Sequence, residues 1–149
     1  MTIRDTLFQH CEAYIEERLQ TIQKHIDDIQ EALSSETKSS AGDKHETGRA
    51  MLQLEREKAG NQLAEIENMR SQLSKLKAYK SLDKVGVGSV VFTSQANYFI
   101  AISAGVLKVD HTAFYAISPG TPIAQVLLSK EVHDTVQFRE QNFTITRIL

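Results

Sequence analysis

The sequence predicts an α+β protein in which an antiparallel α-helical coiled-coil hairpin precedes a small C-terminal α+β domain. Two observations predict the hairpin: an apolar seam with alternating spacings of four and three residues, and a second helical pattern after a polar stretch. The domain is predicted by a change from charged, helical sequence to β-rich sequence near residues 82–87. We therefore expect the hairpin over residues 1–82 and the domain over residues 83–149.

The two predicted helices cover about residues 3–34 and about residues 43–80. The apolar positions of the first helix follow the heptad pattern: Ile15, Leu19, Ile22, Ile26, Ile29 and Leu33. Those of the second helix share one face: Leu52, Ala59, Leu63, Ile66, Met69, Leu73 and Leu76. Neither helix can bury its apolar stripe alone, so antiparallel pairing is the expected arrangement.

Between the helices, the polar segment from Ser34 to Gly42 has no periodicity and is expected to form the turn. The second helix then starts with Asp43, and Glu46 follows three residues later. Asp-x-x-Glu at a helix start is typical of a capping box, in which both carboxylates accept hydrogen bonds from main-chain amides. Capping leaves lone pairs free, so the same carboxylates could help to hold Mg²⁺ if a partner supplied the remaining ligands.

Composition excludes several classes of function. A net charge of −2 and a sequence pI near 6.2 argue against direct binding of duplex nucleic acid, which needs a dense basic surface. No apolar run reaches transmembrane length and no secretory signal pattern opens the chain, so we expect a cytoplasmic protein without membrane contact. Cys11 is the only cysteine, which excludes an intramolecular disulfide and a cysteine-based zinc site. We expect it to serve as a small apolar group.

In the C-terminal region, strands are expected over residues 85–93, 96–103, 106–109, 114–117, 135–139 and 142–148. Gly105 is expected to turn the chain before the third strand, and Glu140 with Gln141 to join the last two. A short helix is expected after Thr121, with Thr121 as its N-cap and Pro122 at its first position. Proline suits that position because it lacks only an amide hydrogen that would be unpaired anyway.

The short helix and the residues after it resemble a segment of the Gre-type factors, which act on stalled bacterial RNA polymerase. The family segment reads Ser-Pro-Ile-Ala-x-x-Leu-Ile-Gly-Lys-Glu-x-x-Asp-x-Val. The matching residues here are Thr121, Pro122, Ile123, Ala124, Leu127, Leu128, Lys130, Glu131, Asp134 and Val136. Gly42, Asp43 and Glu46 are similar to the family's Gly-Asp-x-x-Glu turn. Because the order of the parts and the chain length also agree, the resemblance covers essentially the whole chain and implies an FKBP-like C-terminal domain.

The resemblance implies a bacterial transcription elongation factor that binds RNA polymerase and is not itself an enzyme. Its domain would dock beside the secondary channel, with Pro122, Ile123, Lys130 and Glu131 as contact residues, and its coiled coil would enter the channel. Asp43 and Glu46 would help to hold a second catalytic Mg²⁺, shared with the polymerase, for hydrolysis of a backtracked transcript. No cofactor would be tightly bound, and contact with the transcript 3′ end would occur only inside the complex.

The chain departs from the family pattern at two places. After the acidic pair the family continues Asn-Ala-Glu-Tyr, whereas this chain has Thr47, Gly48, Arg49 and Ala50, and the family's glycine after Leu-Ile is Ser129. A factor that occupies the channel and modulates or inhibits transcription without cleavage therefore stays open as an alternative.

Two other classes of protein are weaker alternatives. A generic coiled-coil adaptor or chaperone would explain the hairpin alone, and a peptidyl-prolyl isomerase rests only on the implied fold. The oligomeric state stays open, since exposed heptads can also pair between chains. A basic run could complement an acidic rim of a protein partner; it consists of Arg70, Lys75, Lys77, Lys80 and Lys84.

Overall fold

The computed structural model describes residues 1–38 and 43–149, and their side chains over residues 1–35 and 46–149. Two long helices come first: α1 (Ile3–Lys38) and α2 (Asp43–Lys75), with a 3₁₀ turn at Leu76–Ala78. The strands are β1 (Val90–Thr93), β2 (Asn97–Ile100), β3 (Gly105–Val109), β4 (Thr112–Ile117), β5 (Thr135–Phe138) and β6 (Gln141–Ile148), and a short helix α3 (Pro122–Leu127) lies between β4 and β5. The predicted α+β class is confirmed.

The chain forms two compact units. The first, here called the helical unit, consists of Ile15–Met69. The second, here called the sheet unit, consists of Met1–Tyr14 together with Arg70–Leu149, so it contains the first turns of α1 and the last turn of α2. The boundary predicted at residue 82 follows the change in composition. Contacts between residues instead group the start of α1 and the end of α2 with the strands.

Within the helical unit, α1 and α2 share an apolar cluster. Ile26, Ile29 and Ala59 are buried at its centre, and four half-buried side chains pack against them: Ile22, Leu33, Leu52 and Leu63. All seven belong to the two faces that the sequence predicts. These contacts place the second half of α1 beside the first half of α2, and burial of both stripes stabilises the pair.

Both long helices differ from the prediction at their C-terminal ends. The prediction that the turn begins at Ser34 is wrong, because α1 continues to Lys38. Serine disfavours a helix only slightly, and neither glycine nor proline occurs between these two residues. α2 ends at Lys75 rather than near residue 80, where the chain tightens into the 3₁₀ turn.

The six strands form one sheet in the order β3–β4–β2–β1–β6–β5. Neighbouring strands are antiparallel except β2 and β4, which are parallel. Helix α3 belongs to the same core, whose buried members are Val85, Val91, Ile100, Ala124, Leu127, Val136, Phe143 and Ile145. This cluster fixes α3 and the residues that follow it.

Two details of the strands correct the prediction. β1 begins at Val90 because the residues before it form a turn, in which the Ser89 amide donates to the Gly86 carbonyl. The last hairpin turns at Arg139 and Glu140, not at Glu140 and Gln141, with φ angles of 50° and 65°. Two successive positive φ angles are typical of the type I′ turn, whose twist matches that of the flanking strands.

Cys11 lies fully buried in the sheet unit, as expected for a small apolar group. Burial raises the pKa of its thiol to about 12. Since only the thiolate attacks, we expect a thiol-reactive disulfide reagent at about pH 8 to modify the native protein at least about 1,000-fold more slowly than free cysteine. The denatured chain should react at the free rate. Rapid stoichiometric reaction of the native protein would contradict this result.

The same pKa shift of Cys11 predicts a loss of stability in alkali. Because the folded pKa exceeds that of the unfolded thiol, about 8.5, the unfolded chain releases its proton first. The contribution of the neutral thiol is complete below that value and is lost progressively as the pH rises toward 12. Between about pH 8 and 10, urea unfolding should show a steeper decline in the wild type than in Cys11→Ala.

Candidate functional site

The two carboxylates predicted beside the turn of the hairpin, Asp43 and Glu46 (here called the tip acids), belong to the first turn of α2. Asp43 is its first residue, and Glu46, three residues later, is exposed. Residues 39–42 and the side chain of Asp43, with the capping bond predicted for it, lie outside the described residues. Acidic groups at this end are favoured by the positive end of the helix dipole, and the exposed Glu46 carboxylate is open to a ligand from solvent.

The start of α1 shows how this chain builds a reciprocal cap. The Asp5 amide donates to Thr2 Oγ1 at 3.0 Å, and the Thr2 amide donates to Asp5 Oδ2 at 3.1 Å. The main-chain hydrogen bond from Thr2 lowers the pKa of the Asp5 carboxyl below its ordinary value. The sequence analysis above does not predict this cap, although Thr2 and Asp5 have the spacing of a capping box.

Arg49 supplies a contact between the two helices close to the tip residues. Its side chain is half-buried, and Nη1 donates to the carbonyl of Leu33 on α1 at 3.4 Å, a long hydrogen bond. The contact joins the end of the α1 stripe to the start of α2. Arg49 also lies three residues after Glu46 in the chain, at a position where the Gre-type factors, which the sequence resembles, have no basic residue.

The start of α3 is built as the sequence predicts. Thr121 Oγ1 accepts from the Ala124 amide at 3.4 Å and donates to the Ser118 carbonyl at 2.8 Å. Pro122 is the first helical residue and is exposed, whereas Ile123 is half-buried against the core of the sheet unit. Pro122 is therefore open to a partner, and Ile123 is shared between core and surface.

Lys130 and Glu131 are both exposed, on main chain that is fixed from two sides. The Val85 amide donates to the Lys130 carbonyl at 2.9 Å, and the Ser129 amide donates to the Val85 carbonyl at 2.8 Å. Glu131 also lies 3.9 Å from Lys84 Nζ, an exposed ion pair that adds at most about 1 kcal/mol. The backbone thus presents the Lys130 and Glu131 side chains outward.

Asp134, one of the residues that match the family segment, closes the turn that begins at Glu131. Its Oδ2 accepts from the Glu131 amide at 2.7 Å, and its own amide donates to the Glu131 carbonyl at 3.1 Å. A side chain that accepts from a nearby amide in this way is a common means of closing a turn. The acid at this position therefore has a structural role.

Ser129 occupies a left-handed conformation, with φ of 72°, at the position where the resembling family has glycine. A residue with a Cβ is strained there, so Ser129→Gly should raise the unfolding free energy by about 0.5–1 kcal/mol after the extra chain entropy of glycine is subtracted. Ser129→Ala is the matched control, since it keeps the Cβ. Urea titrations in which alanine stabilises as much as glycine would contradict the argument.

The residues of the basic run are exposed in the sheet unit: Arg70, Lys75, Lys77, Lys80 and Lys84. Lys84 is the member that pairs with Glu131. The run is consistent with a solvated surface and with a surface that meets an acidic partner.

A cluster in the sheet unit was not found from the sequence, and we call it the Arg4 cluster: Arg4, Leu76, Tyr79, Gly86, Gly88 and Ser89. Arg4 Nε donates to the Gly88 carbonyl and Nη2 to the Leu76 carbonyl, both at 2.9 Å. Its guanidinium carbon lies 4.2 Å from the centre of the Tyr79 ring. Burial lowers the pKa of Arg4 from its ordinary value. The local signal in the sequence is Gly-x-Gly before β1, a spacing that is typical of a linker and the entry to a strand and does not predict this cluster.

Two polar contacts complete the Arg4 cluster. The hydroxyls of Tyr79 and Ser89 are hydrogen-bonded at 2.7 Å, and Ser89 Oγ accepts from the Gly86 amide at 2.9 Å. Ser89 is fully buried, so these bonds satisfy a hydroxyl that would otherwise destabilise the fold.

Comparison of the chain with known protein families, with curated proteins and with solved structures finds no match. Over the part of the chain that the structure describes, no three His, Cys, Asp or Glu side chains gather into a group that could hold a metal ion. None of the described helices has an apolar stretch long enough to cross a membrane.

Proposed function

We propose that the protein is a bacterial transcription elongation factor that inserts its hairpin into the secondary channel of RNA polymerase. There it stimulates cleavage of backtracked transcripts through Asp43 and Glu46. The observation that carries the proposal is the pair of helices, of 36 and 33 residues, with both acids in the first turn of the second. At 1.5 Å per residue, the parts of α1 and α2 that belong to the helical unit are each about 35–40 Å long, a length that supports insertion into a deep channel.

The proposed fold details belong to the same inference. The shared apolar cluster of α1 and α2, with its heptad-spaced residues, supports packing as an antiparallel coiled coil. The hydrophobic core that α3 shares with the sheet supports a domain of the FK506-binding-protein type.

Asp43 and Glu46 fit a Mg²⁺ site that a partner completes. Two carboxylates are too few for a site made by this chain alone, but Mg²⁺ usually takes one or two together with phosphates and waters. Bound Mg²⁺ would supply activation of water and neutralisation of developing charge. The exposed Glu46 carboxylate would provide negative charge at the active site of the polymerase, and the helix start would orient it. The protein thus acts without being an enzyme by itself.

Pro122, Ile123, Lys130 and Glu131 form the proposed docking surface beside the channel. Their main chain is held in place by hydrogen bonds. The capped start of α3 holds Pro122 and Ile123, a main-chain bond from Val85 holds Lys130, and the bonds to Asp134 hold Glu131. A main chain that is already fixed loses little entropy when a partner binds.

Arg49 favours a second candidate function, occupation of the channel without cleavage. A guanidinium three residues from Glu46 offsets negative charge where a Mg²⁺ ion must be attracted. In this alternative the same docking surface and hairpin bind, and transcription is modulated or inhibited.

Binding is tested with the immobilised full-length protein and purified bacterial RNA polymerase. We expect a one-to-one complex whose affinity falls about 10-fold or more in the Lys130→Glu/Glu131→Lys variant. Lys108→Glu/Glu140→Lys is the matched control, because it exchanges an exposed base and an exposed acid elsewhere in the sheet unit. Absence of the complex would overturn the proposal, and equal loss in both variants would remove the docking surface from it.

A further inference from the structure

The Arg4 cluster joins three segments that are distant in sequence. Arg4 stands in the first turn of α1, Leu76 opens the 3₁₀ turn after α2, and Gly88 precedes β1. One guanidinium reaches the carbonyls of both Leu76 and Gly88, which are 72 and 84 residues away from it in the chain. A planar group with donors in a fixed fork can hold two carbonyls at once, whereas an ammonium acts as a single point charge.

The Leu76 carbonyl is a strong acceptor because of its place in the chain. It lies just after the last residue of α2, where main-chain carbonyls carry the negative end of the helix dipole. It accepts from the Tyr79 amide at 3.0 Å in addition to Arg4. Arg4, at the start of α1, therefore acts as a C-terminal cap for the 3₁₀ turn that continues α2.

The ring of Tyr79 lies between Arg4 and Gly88. Its ring lies under the Arg4 guanidinium, and a Cβ at Gly88 would lie 2.7 Å from the ring carbon Cδ2. Only glycine permits this approach, and its φ of 98° is also one that glycine adopts freely. The hydroxyl of Tyr79 then binds Ser89 beyond Gly88.

We propose that Arg4 is a latch that holds the 3₁₀ turn and the entry to β1 together at the start of α1, so that releasing it opens this region locally while the sheet stays folded. The inference is independent of the proposed function and needs no polymerase. The partial burial of Arg4 supports this proposal. Burying a guanidinium is unfavourable unless its N–H groups are hydrogen-bonded, and the two Arg4 hydrogen bonds go to the main-chain carbonyls of Leu76 and Gly88. Such local opening is a known property of native proteins.

Amide hydrogen exchange measured by nuclear magnetic resonance on the full chain tests the latch. The reporters are three amides within the region: Tyr79, which donates to Leu76, Gly88, which donates to Ile100, and Ser89, which donates to Gly86. The reference amides are those of Val85, His133 and Ile145, which donate to other parts of the sheet unit. In Arg4→Gln we expect the reporters to exchange about 10-fold faster or more and the references to change by less than about 2-fold.

Two further variants keep the test specific. Arg4→Lys retains the charge without the fork, and we expect it to behave like Arg4→Gln. Lys77→Gln removes an exposed positive charge from the 3₁₀ turn and should leave all six amides unchanged. Full protection in Arg4→Lys, equal acceleration of reporters and references in Arg4→Gln, or no acceleration at all would each overturn the latch.

Discussion

Replacing Asp43 by Asn and Glu46 by Gln together is expected to reduce the rate of polymerase transcript cleavage by about 100-fold or more, as is typical when charge stabilisation is removed from a catalytic site. Asn and Gln keep the shapes of Asp and Glu and can make the hydrogen bonds of the predicted capping box, so the start of α2 should be preserved. The substitutions remove only the negative charge that would attract Mg²⁺. Shortening of radiolabelled transcript in backtracked complexes measures the effect.

The control for this variant removes the same amount of charge from α1, away from the start of α2. Asp28 and Glu31 are exposed one helical turn apart, so Asp28→Asn/Glu31→Gln should cleave like the wild type. Equal shortening by the wild type and the Asp43/Glu46 variant would reject the catalytic role. A wild-type protein that binds the polymerase without shortening any transcript would instead establish the alternative, occupation of the channel without cleavage.

The second large effect concerns stability. Gly88→Ala should lower the unfolding free energy by about 2–4 kcal/mol, because a positive φ costs about 1–2 kcal/mol for alanine and the added Cβ overlaps the Tyr79 ring. The closest ring atom would lie at 2.7 Å. Urea unfolding followed by circular dichroism gives the difference in free energy.

Gly86→Ala is the matched control for this substitution. A Cβ at Gly86 meets no atom within 4 Å, and this residue is absent from the glycines with positive φ. We expect it to cost less than about 1 kcal/mol. If the two alanine variants were equally stable, the close packing of Tyr79 on Gly88 would not be a source of stability.

Periodicity predicted much of the fold because it reports directly on burial. Every residue of the two predicted helix faces, such as Ile26 and Ala59, is buried or half-buried in the structure. The start of α3 was equally predictable, since Thr121 and Pro122 act through local geometry. The end of α1 was not, because no breaker residue marks it.

Sequence patterns did not predict the contacts between residues that are distant in the chain. Arg4 looks like an ordinary polar residue on a helix, and only the folded chain brings it to Leu76 and Gly88. The turn at Arg139 and Glu140 also depends on the register between β5 and β6, which pairing across the sheet decides. For the tip acids, the structure gives the place of Asp43 and Glu46 in α2, and their chemistry stays a prediction.

The most direct test of the central claim is site-specific photo-crosslinking from the hairpin to RNA polymerase. A benzophenone side chain is placed at Ala50, an exposed residue in the second turn of α2, and the complex is irradiated and digested for mass spectrometry. We predict crosslinks to polymerase segments that line the secondary channel beside the catalytic Mg²⁺. Crosslinks confined to the outer surface of the polymerase would contradict insertion of the hairpin.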